Sequence, residues 1–316
     1  MTEGTVRSSP TPQTLLVSFV PTDAGADAVA LGRLLARAST DRLVVCSVAP
    51  QTASGGDAGF GGRGYGDLVV GQLQPAYEQV KADLAPVEAE FTVRFAGSVA
   101  VGLLDYAAEL GATMLVLGSA RSGLSGRYAI GSLAGLLQHS SPVPLAFAPD
   151  GFAEVRVETI RRVACAYNDS PDSRQALELA LELCRAHQVP LQLVTFVFPE
   201  YPHLRQMPGL SSLADDRTAR AAAADQLLAE VADGLPDDIE VETCVRTGGN
   251  IAQAVARAEW RDGDVLVLGS APMGPFARVF LGSTALKLLR CCPVPVIAVP
   301  RPDQPDATTP ASDEHS

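Results

Sequence analysis

The sequence is poor in the features that mark several classes of protein. Aromatic residues make up only 5% of its 316 positions, so the 47% of hydrophobic residues must build cores mainly from Ala, Val and Leu. No basic run of five or more residues occurs, and a formal net charge of -12 disfavours binding to nucleic acid or to an anionic membrane. No apolar run reaches the roughly 18 residues of a membrane-spanning helix, and residues 1–13 lack the basic and apolar regions of a signal peptide. We therefore predict a cytoplasmic protein that contacts neither nucleic acid nor membrane.

Patterns typical of catalysis are also missing. The six cysteines include no C-x-x-C pair, which predicts buried and reduced thiols. None of the four histidines has metal-ligand spacing with Cys, Asp or Glu, and neither a Walker lysine nor a G-x-S-x-G motif is found. Asp169 and Asp172 suit helix capping better than acid–base chemistry. We expect a non-enzymatic protein without a metal site.

What the sequence does contain is a long internal repeat. Nearly half of the aligned positions are identical between residues 115–149 and residues 266–300, without a gap. The repeated residues include the Leu-Val-Leu-Gly-Ser-Ala run that starts at Leu115 and at Leu266, and the Pro-Val-Pro run that starts at Pro142 and at Pro293. A repeat of this length is a duplicated domain rather than a short solenoid unit.

Short apolar runs alternate with helical patterns in both copies. The first copy has predicted strands at 15–20, 42–48, 91–95, 114–117 and 144–148, and the second at 162–167, 191–198, 239–245, 265–268 and 294–299. Helices are predicted at 172–187, 215–234 and 250–260. Strands with continuous rather than alternating apolar residues are covered on both faces. The fold class is therefore α/β, with two tandem doubly wound, Rossmann-like domains, each with a five-stranded parallel sheet.

Composition sets the expected boundaries of the two domains. Residues 1–13 and 301–316 are polar and rich in Pro, Thr or Asp, which predicts disordered tails. The first domain is expected at 14–149, a linker at 150–160 and the second domain at 161–300. The glycine-dense stretch 54–66 resembles a phosphate loop only in its glycine content, and we interpret it as a mobile surface loop.

Glycines and hydroxyl residues follow the fourth predicted strand in each copy. Such a loop lets the backbone approach a phosphate, and a Gly-Ser pair at a helix N-terminus presents N–H groups and a hydroxyl to an anion. The first copy has Gly118, Gly131 and Ser132, and the second has Gly269, Ala271, Gly282, Ser283 and Thr284. Turn formation and helix entry would explain the outer glycines equally well.

These loops, the Pro-Val-Pro run behind them and the stretch 163–177 resemble the universal stress protein family. The resemblance covers about 14–149 and 160–300, and it implies a tandem member of that family. In its ATP-binding members an acidic residue after the first strand faces the adenine and the glycine loop holds the phosphates. Single-domain members commonly dimerise through the fifth strand, so the resemblance implies that 144–148 and 294–299 pair within this chain as an internal pseudo-dimer.

Both copies depart from the full pattern that the resemblance implies. In place of the acid, the second copy has Asn168, after Ala166 and Tyr167, and the first copy has Val20. An Asn side chain can both donate and accept hydrogen bonds at a purine edge, and Val can do neither. In place of the middle loop glycine the first copy has Arg121, a cation that suits phosphate, and the second has Pro272, which lacks an N–H.

Two functions from different classes follow, while a third, an enzyme that hydrolyses ATP or transfers a nucleotidyl group, is disfavoured because no candidate nucleophile or metal-binding carboxylate cluster is visible. The first is a stress-response protein whose internal pseudo-dimer senses or buffers an adenine nucleotide, with ATP as the ligand and the second copy as the better site. The second is a degenerate scaffold that binds no nucleotide and acts through protein partners. Whether two chains associate further as a homodimer is left open.

Overall fold

The computed structural model describes residues 12–37, 40–51, 64–118, 141–199, 217–270 and 283–300. Strands and helices alternate along both halves of the chain. The first half contains β1 (Thr14–Ser18), α1 (Asp23–Leu35), β2 (Arg42–Pro50), α2 (Tyr65–Leu84), β3 (Ala89–Ala96), α3 (Val99–Leu110), β4 (Met114–Leu117) and β5 (Leu145–Phe147).

The second half repeats this order after a short connecting helix, α4 (Phe152–Val155). It contains β6 (Arg162–Ala166), α5 (Pro171–His187), β7 (Leu191–Val197), α6 (Arg217–Asp233), β8 (Val241–Thr247), α7 (Ile251–Ala256), β9 (Asp264–Gly269), α8 (Ser283–Cys291) and β10 (Val296–Val299). The predicted α/β class and the strand count of each half are confirmed.

All ten strands join one sheet, in the order β3-β2-β1-β4-β5-β10-β9-β6-β7-β8. Every pairing within a half is parallel. The two halves meet where β5 pairs antiparallel with β10, with Ala146 opposite Ile297. The fifth strands thus pair within the chain, as the resemblance implied.

The apolar strands are buried on both faces because helices cover each side of the sheet. One hydrophobic cluster contains residues of β1 and β6 such as Val17 and Cys165, together with residues of α1, α2, α5 and α6. The other contains Leu16 and Ala164 from the same two strands, with residues of α3, α7 and α8. Each cluster includes residues from both halves, so the core runs across the β5–β10 pair.

The stretch predicted as a linker is packed against the first half. Phe152 of α4 is 5% exposed and belongs to the first cluster. Asp27 of α1 is buried, and its carboxylate accepts hydrogen bonds from the backbone N–H groups of Gly151 (3.0 Å) and Ala153 (2.9 Å). Burial raises the pKa of Asp27, against the lowering effect of these two bonds. One carboxylate therefore anchors the connection between the halves.

A buried ion pair lies at the amino-terminal end of the second half's strands. The guanidinium of Arg162 donates to the carboxylate of Asp264, which also accepts from the backbone N–H of Arg261 (2.9 Å). At the matching place in the first half, Thr14 and Thr113 exchange hydrogen bonds of 3.1 and 3.2 Å. Each half thus has a different polar pair at the amino-terminal ends of its first and fourth strands.

Three further predictions concern the tails, the glycine-dense stretch and the cysteines. Gln13, at the end of the predicted tail, donates its backbone N–H to Asp41 (2.9 Å) and accepts from Arg42 (2.8 Å), so it is tied to the sheet. Residues 1–11 and 301–316 and most of the glycine stretch lie outside the described residues, which resume within that stretch at Gly64, the residue before α2. The cysteines are all unpaired thiols, five buried and Cys291 half-buried, in agreement with the prediction.

Candidate functional site

The strand order of each half reverses beside its first strand, where β1 meets β4 and β6 meets β9. In open α/β sheets ligands bind at the carboxyl ends of the strands at this point. The second half has a cleft there, between the ends of β6, β7 and β9 and the first turn of α8. Its apolar wall is formed by Val194, Phe196, Phe198, Leu268, Ala285 and Leu288.

The polar side of the cleft is the turn from β6 into α5. Asp169 has a φ of 61°, in the left-handed region, and this bend redirects the chain into the helix. Ser170 is the N-cap, its side chain accepting from the backbone N–H of Ser173 (3.2 Å), and Pro171 occupies the first turn. The prediction that Asp169 and Asp172 cap this helix is therefore wrong. Ser170 takes the role because it is the residue with extended backbone immediately before the first turn.

The cap also determines how the side chain of Asn168 is used. Ser170 donates from its hydroxyl (2.8 Å) and from its backbone N–H (3.4 Å) to Oδ1 of Asn168. The backbone N–H of Asn168 in turn lies 3.4 Å from Oγ of Ser173. The carboxamide oxygen is thus engaged twice, and the amide nitrogen of this exposed residue has no partner among the described residues.

Asp169 belongs to a charged group at the surface beside the cleft. Its carboxylate accepts from the guanidinium of Arg174 (2.9 and 3.0 Å) and from the hydroxyl of Tyr167 (3.2 Å). The hydrogen bond from Arg174 lowers the pKa of Asp169, while burial raises the pKa of Tyr167. The carboxylate of Asp169 is therefore engaged by Arg174 and Tyr167, and Asp169 itself does not line the cleft.

A hydroxyl on the second strand fixes the end of the first strand in both halves. Thr195 donates to the backbone oxygen of Tyr167 (2.6 Å), and Ser47 donates to that of Phe19 (2.9 Å). Thr195 was not among the residues predicted for the site. A lone hydroxyl residue at equivalent positions of two apolar strands is the signal that could have found it.

Gly118 and Gly269 end the fourth strand of each half under the first turn of a helix. A Cβ on Gly269 would overlap the backbone carbonyl of Asp172, and a Cβ on Gly118 would overlap that of Ala24. Close helix–strand packing therefore requires glycine at both places, whatever the cleft binds. The structure therefore gives a direct reason for Gly118 and Gly269, and that reason is packing.

The first half lacks the polar turn of the second. Val20 stands where Asn168 stands, and it is 46% exposed. A cleft there is lined by Val20, Ser47 and side chains of α2 such as Val69 and Leu73. Among the described residues that line this cleft, the polar side chains are Ser47, whose hydroxyl already donates to Phe19, and Gln72 of α2.

The structure brings together five of the predicted site residues. Ala166, Tyr167, Asn168, Gly269 and Thr284 all line the second-half cleft, and Gly118 is at the equivalent strand end of the first half. The predicted residues that lie outside the described ones are Arg121, Gly131, Ser132, Ala271 and Gly282. Ser283 is described only as the first residue of α8. Ser170, Ser173, Thr195, Phe196 and Phe198 line the cleft and were missed.

A family model now accounts for both halves. The model of the universal stress protein family matches residues 13–149 and again residues 159–300. The chain belongs to the universal stress protein family. It is a tandem member with two such domains, and each half has the Rossmann-like fold.

Relatives and solved structures agree with this membership. A universal stress protein of Mycobacterium tuberculosis and one of Mycobacterium bovis are each 37% identical over 214 residues, which cover 68% of this chain and 73% of the relative. The crystal structure of a universal stress protein from Archaeoglobus fulgidus aligns with a TM-score of 0.58 at 19% identity, covering 90% of this chain and 97% of that one. At 19% identity, the likeness to the Archaeoglobus fulgidus structure shows the fold alone.

Membrane spans and metal clusters are absent from the part of the chain that the structure describes. Within those ranges, no helix is both long and apolar enough to cross a membrane. Among the same residues, no group of three or more His, Cys, Asp or Glu side chains is placed to hold a metal ion.

Proposed function

We propose that this universal stress protein is a non-enzymatic stress-response protein that binds a purine nucleotide in the cleft of its second half. The observation that carries the proposal is the cleft itself. It lies at the reversal point of the sheet, has an apolar wall that includes Phe196 and Phe198, and has a polar turn at Asn168. Ligand sites combine an apolar lining with a few placed polar groups in this way. ATP is the nucleotide that the family resemblance implies.

Binding is assigned to the second half because of the residue after its first strand. Asn168 brings an amide to the cleft rim, whereas Val20 brings only methyl groups to the same place in the first half. A flat base can enter either apolar cleft, but hydrogen bonds are needed to orient it. We therefore propose one occupied site in each chain.

The proposal assigns no chemistry to the cleft. The hydroxyls of Ser170, Ser173 and Thr195 each donate within the protein, to Asn168, Ser170 and Tyr167 respectively. Cys, His and Lys do not occur among its described lining residues. A nucleophile and a base within hydrogen-bond reach of each other are what catalysis on a nucleotide would need.

The joined sheet makes the two halves a permanent pair, and we propose that this pair is the working unit of the protein. The β5–β10 ladder gives the chain the strand pairing that single-domain members of the family form between subunits. Nucleotide in the second half can then influence the first half through one continuous core. Further assembly into a homodimer is not needed for this proposal.

The repeat supplies a matched test of binding. Gly282→Glu places an acidic side chain in the glycine loop of the second copy, and Gly131→Glu makes the same change in the first. Equilibrium dialysis with labelled ATP and, in parallel, labelled GTP should show binding to wild type and to the Gly131→Glu variant. Binding should be lost in the Gly282→Glu variant, whose circular dichroism should stay that of the wild type. Equal retention of nucleotide by both variants would refute the assignment of the site.

The second candidate function is a scaffold that binds no nucleotide and acts through protein partners. One observation favours it, namely that Gly118 and Gly269 are required by helix packing and so do not by themselves indicate a phosphate site. The small molecules released when purified protein is denatured separate the two functions. Purine absorbance in that fraction supports the nucleotide-binding protein. A clean fraction, with no thermal shift on adding ATP or GTP, supports the scaffold.

A further inference from the structure

We propose that the second-half cleft selects a nucleotide with a 6-oxopurine base, guanine or hypoxanthine, over one with a 6-aminopurine base, and that Asn168 makes the selection. This inference rests on the proposed function, because it names the base that the nucleotide site prefers. It departs from ATP, the ligand that the family resemblance implies. The departure comes from the hydrogen bonds of one carboxamide.

The orientation of the Asn168 amide follows from its neighbours. A backbone N–H can only donate, so the atom that meets the N–H of Ser170 must be the carboxamide oxygen. The hydroxyl of Ser170 accepts from the N–H of Ser173 and uses its proton on the same oxygen (2.8 Å). Both contacts place the oxygen toward α5, which leaves the NH₂ group as the part of Asn168 that is available to a ligand.

Nearby acceptors are already in use. Oγ of Ser173 receives the N–H of Asn168 and donates to the carbonyl of Ser170 (2.9 Å). The carbonyl of Tyr167 receives the hydroxyl of Thr195 at 2.6 Å. Asp172 also lines the cleft, and it has an interaction of its own. The NH₂ group of Asn168 can only donate, so the ligand atom that meets it has to be an acceptor.

The purine bases differ in this property. The N7/O6 edge of guanine presents two acceptors, and the corresponding edge of adenine presents one acceptor and the N6 amino donor. An Asn side chain recognises adenine by using its oxygen and its nitrogen together. With its oxygen engaged by Ser170, Asn168 cannot make that pair. With position 6 of the base placed at Asn168, adenine would bring its amino group against the amide NH₂, whereas O6 of guanine or hypoxanthine would accept from it.

Restoring an acid at this position should reverse the preference. In the Asn168→Asp variant one carboxylate oxygen takes the two bonds from Ser170, and the other is free to accept from the adenine amino group. Asn250→Asp is the matched control because Asn250 also caps a helix, accepting from the N–H of Gln253 (2.9 Å), and it does not line the cleft. It adds the same charge without changing the rim.

The experiment measures the affinity of the full-length chain for ITP, GTP and ATP by calorimetry. ITP carries O6 but no 2-amino group, so its comparison with ATP isolates position 6. We expect wild type and the Asn250→Asp variant to bind ITP and GTP at least about tenfold more tightly than ATP, the discrimination typical of one well-placed base contact. We expect the Asn168→Asp variant to prefer ATP.

Other results overturn the inference in distinguishable ways. If wild type binds purine nucleotides but takes ATP as tightly as ITP, the proposed function stands and the selection by Asn168 is refuted. The selection is refuted in the same way if the Asn168→Asp variant keeps the wild-type ratio of affinities, or if the Asn250→Asp variant changes the ratio as much. If the wild-type chain binds none of the three nucleotides, the proposed function and this inference both fail.

Discussion

Replacing Gly269 by alanine tests whether this repeated glycine serves the fold or a ligand. The added Cβ would overlap the carbonyl group of Asp172 and would lie 2.9 Å from that residue's Cβ. Most of these atoms are backbone, so no side-chain rotation relieves the contact, and the first turn of α5 has to move away from β9. Overpacking of this kind costs about 1–3 kcal/mol. Gly118→Ala should behave alike in the first half, since its Cβ would overlap the carbonyl of Ala24.

A third glycine provides the control for these variants. Gly71 lies inside α2, is exposed, and an added Cβ there meets nothing within 4 Å. Alanine at such a position gains about 0.5–1 kcal/mol of helix stability. Urea unfolding followed by circular dichroism should therefore separate Gly269→Ala from Gly71→Ala by at least about 1.5 kcal/mol.

The result that refutes the packing argument is specific. If the Gly269→Ala variant unfolds at the wild-type urea concentration and yet loses nucleotide, the glycine is retained for the ligand. If the Gly269→Ala variant is destabilised by the same amount as Gly118→Ala and still binds nucleotide at low temperature, the glycine is required for packing of the fold. Binding and unfolding must therefore be measured on the same preparations.

Two further predictions concern buried carboxylates. Burial raises the pKa of Asp27 in the folded state above its ordinary value of 3.8, so the folded state binds a proton more readily than the unfolded state. The contribution of Asp27 to stability therefore falls as the pH rises from 3.8 through the folded-state pKa. Asp27→Asn should flatten this part of a stability–pH curve and cost about 1–3 kcal/mol at neutral pH by leaving one linker N–H unpaired; an unchanged curve would contradict the assignment. Asp264→Asn should cost about 3–5 kcal/mol in urea unfolding because it removes the buried carboxylate that pairs with Arg162 and leaves this cation the exposed Glu242, at 3.9 Å. The double variant R162T/D264T, which copies Thr14 and Thr113 of the first half, should cost clearly less, and an equal or larger loss would show that the pair itself is favourable.

The repeat and the continuous apolar runs were sufficient to predict the sheet. Strand β4 has the predicted bounds, and the pairing of β5 with β10 follows from the family resemblance. The predicted strand bounds are wrong at strand ends where the apolar pattern and the hydrogen-bonded ladder do not coincide. The strand predicted at 239–245 is Val241–Thr247, because Ile239 is buried before the ladder with β7 begins and polar Arg246 and Thr247 are within it.

The candidate site was less predictable for a different reason. The sequence shows that an Asn follows β6, and from composition this residue can both donate and accept. Which of the two it offers depends on Ser170, whose capping position and hydroxyl direction are set by the bend at Asp169. A hydrogen-bond network of this kind is a property of the folded turn, and no spacing rule contains it.

The two halves together indicate where function should be sought in a duplicated protein. Some residues agree between the two halves and have the same structural role in each. Gly118 and Gly269 let a helix approach a strand, and the hydroxyls of Ser47 and Thr195 fix a strand end. Identity between copies therefore records what the fold requires. We propose that ligand recognition in the second half depends on a position at which the copies differ, and one such position at the reversal point of the sheet holds Asn168 in one half and Val20 in the other.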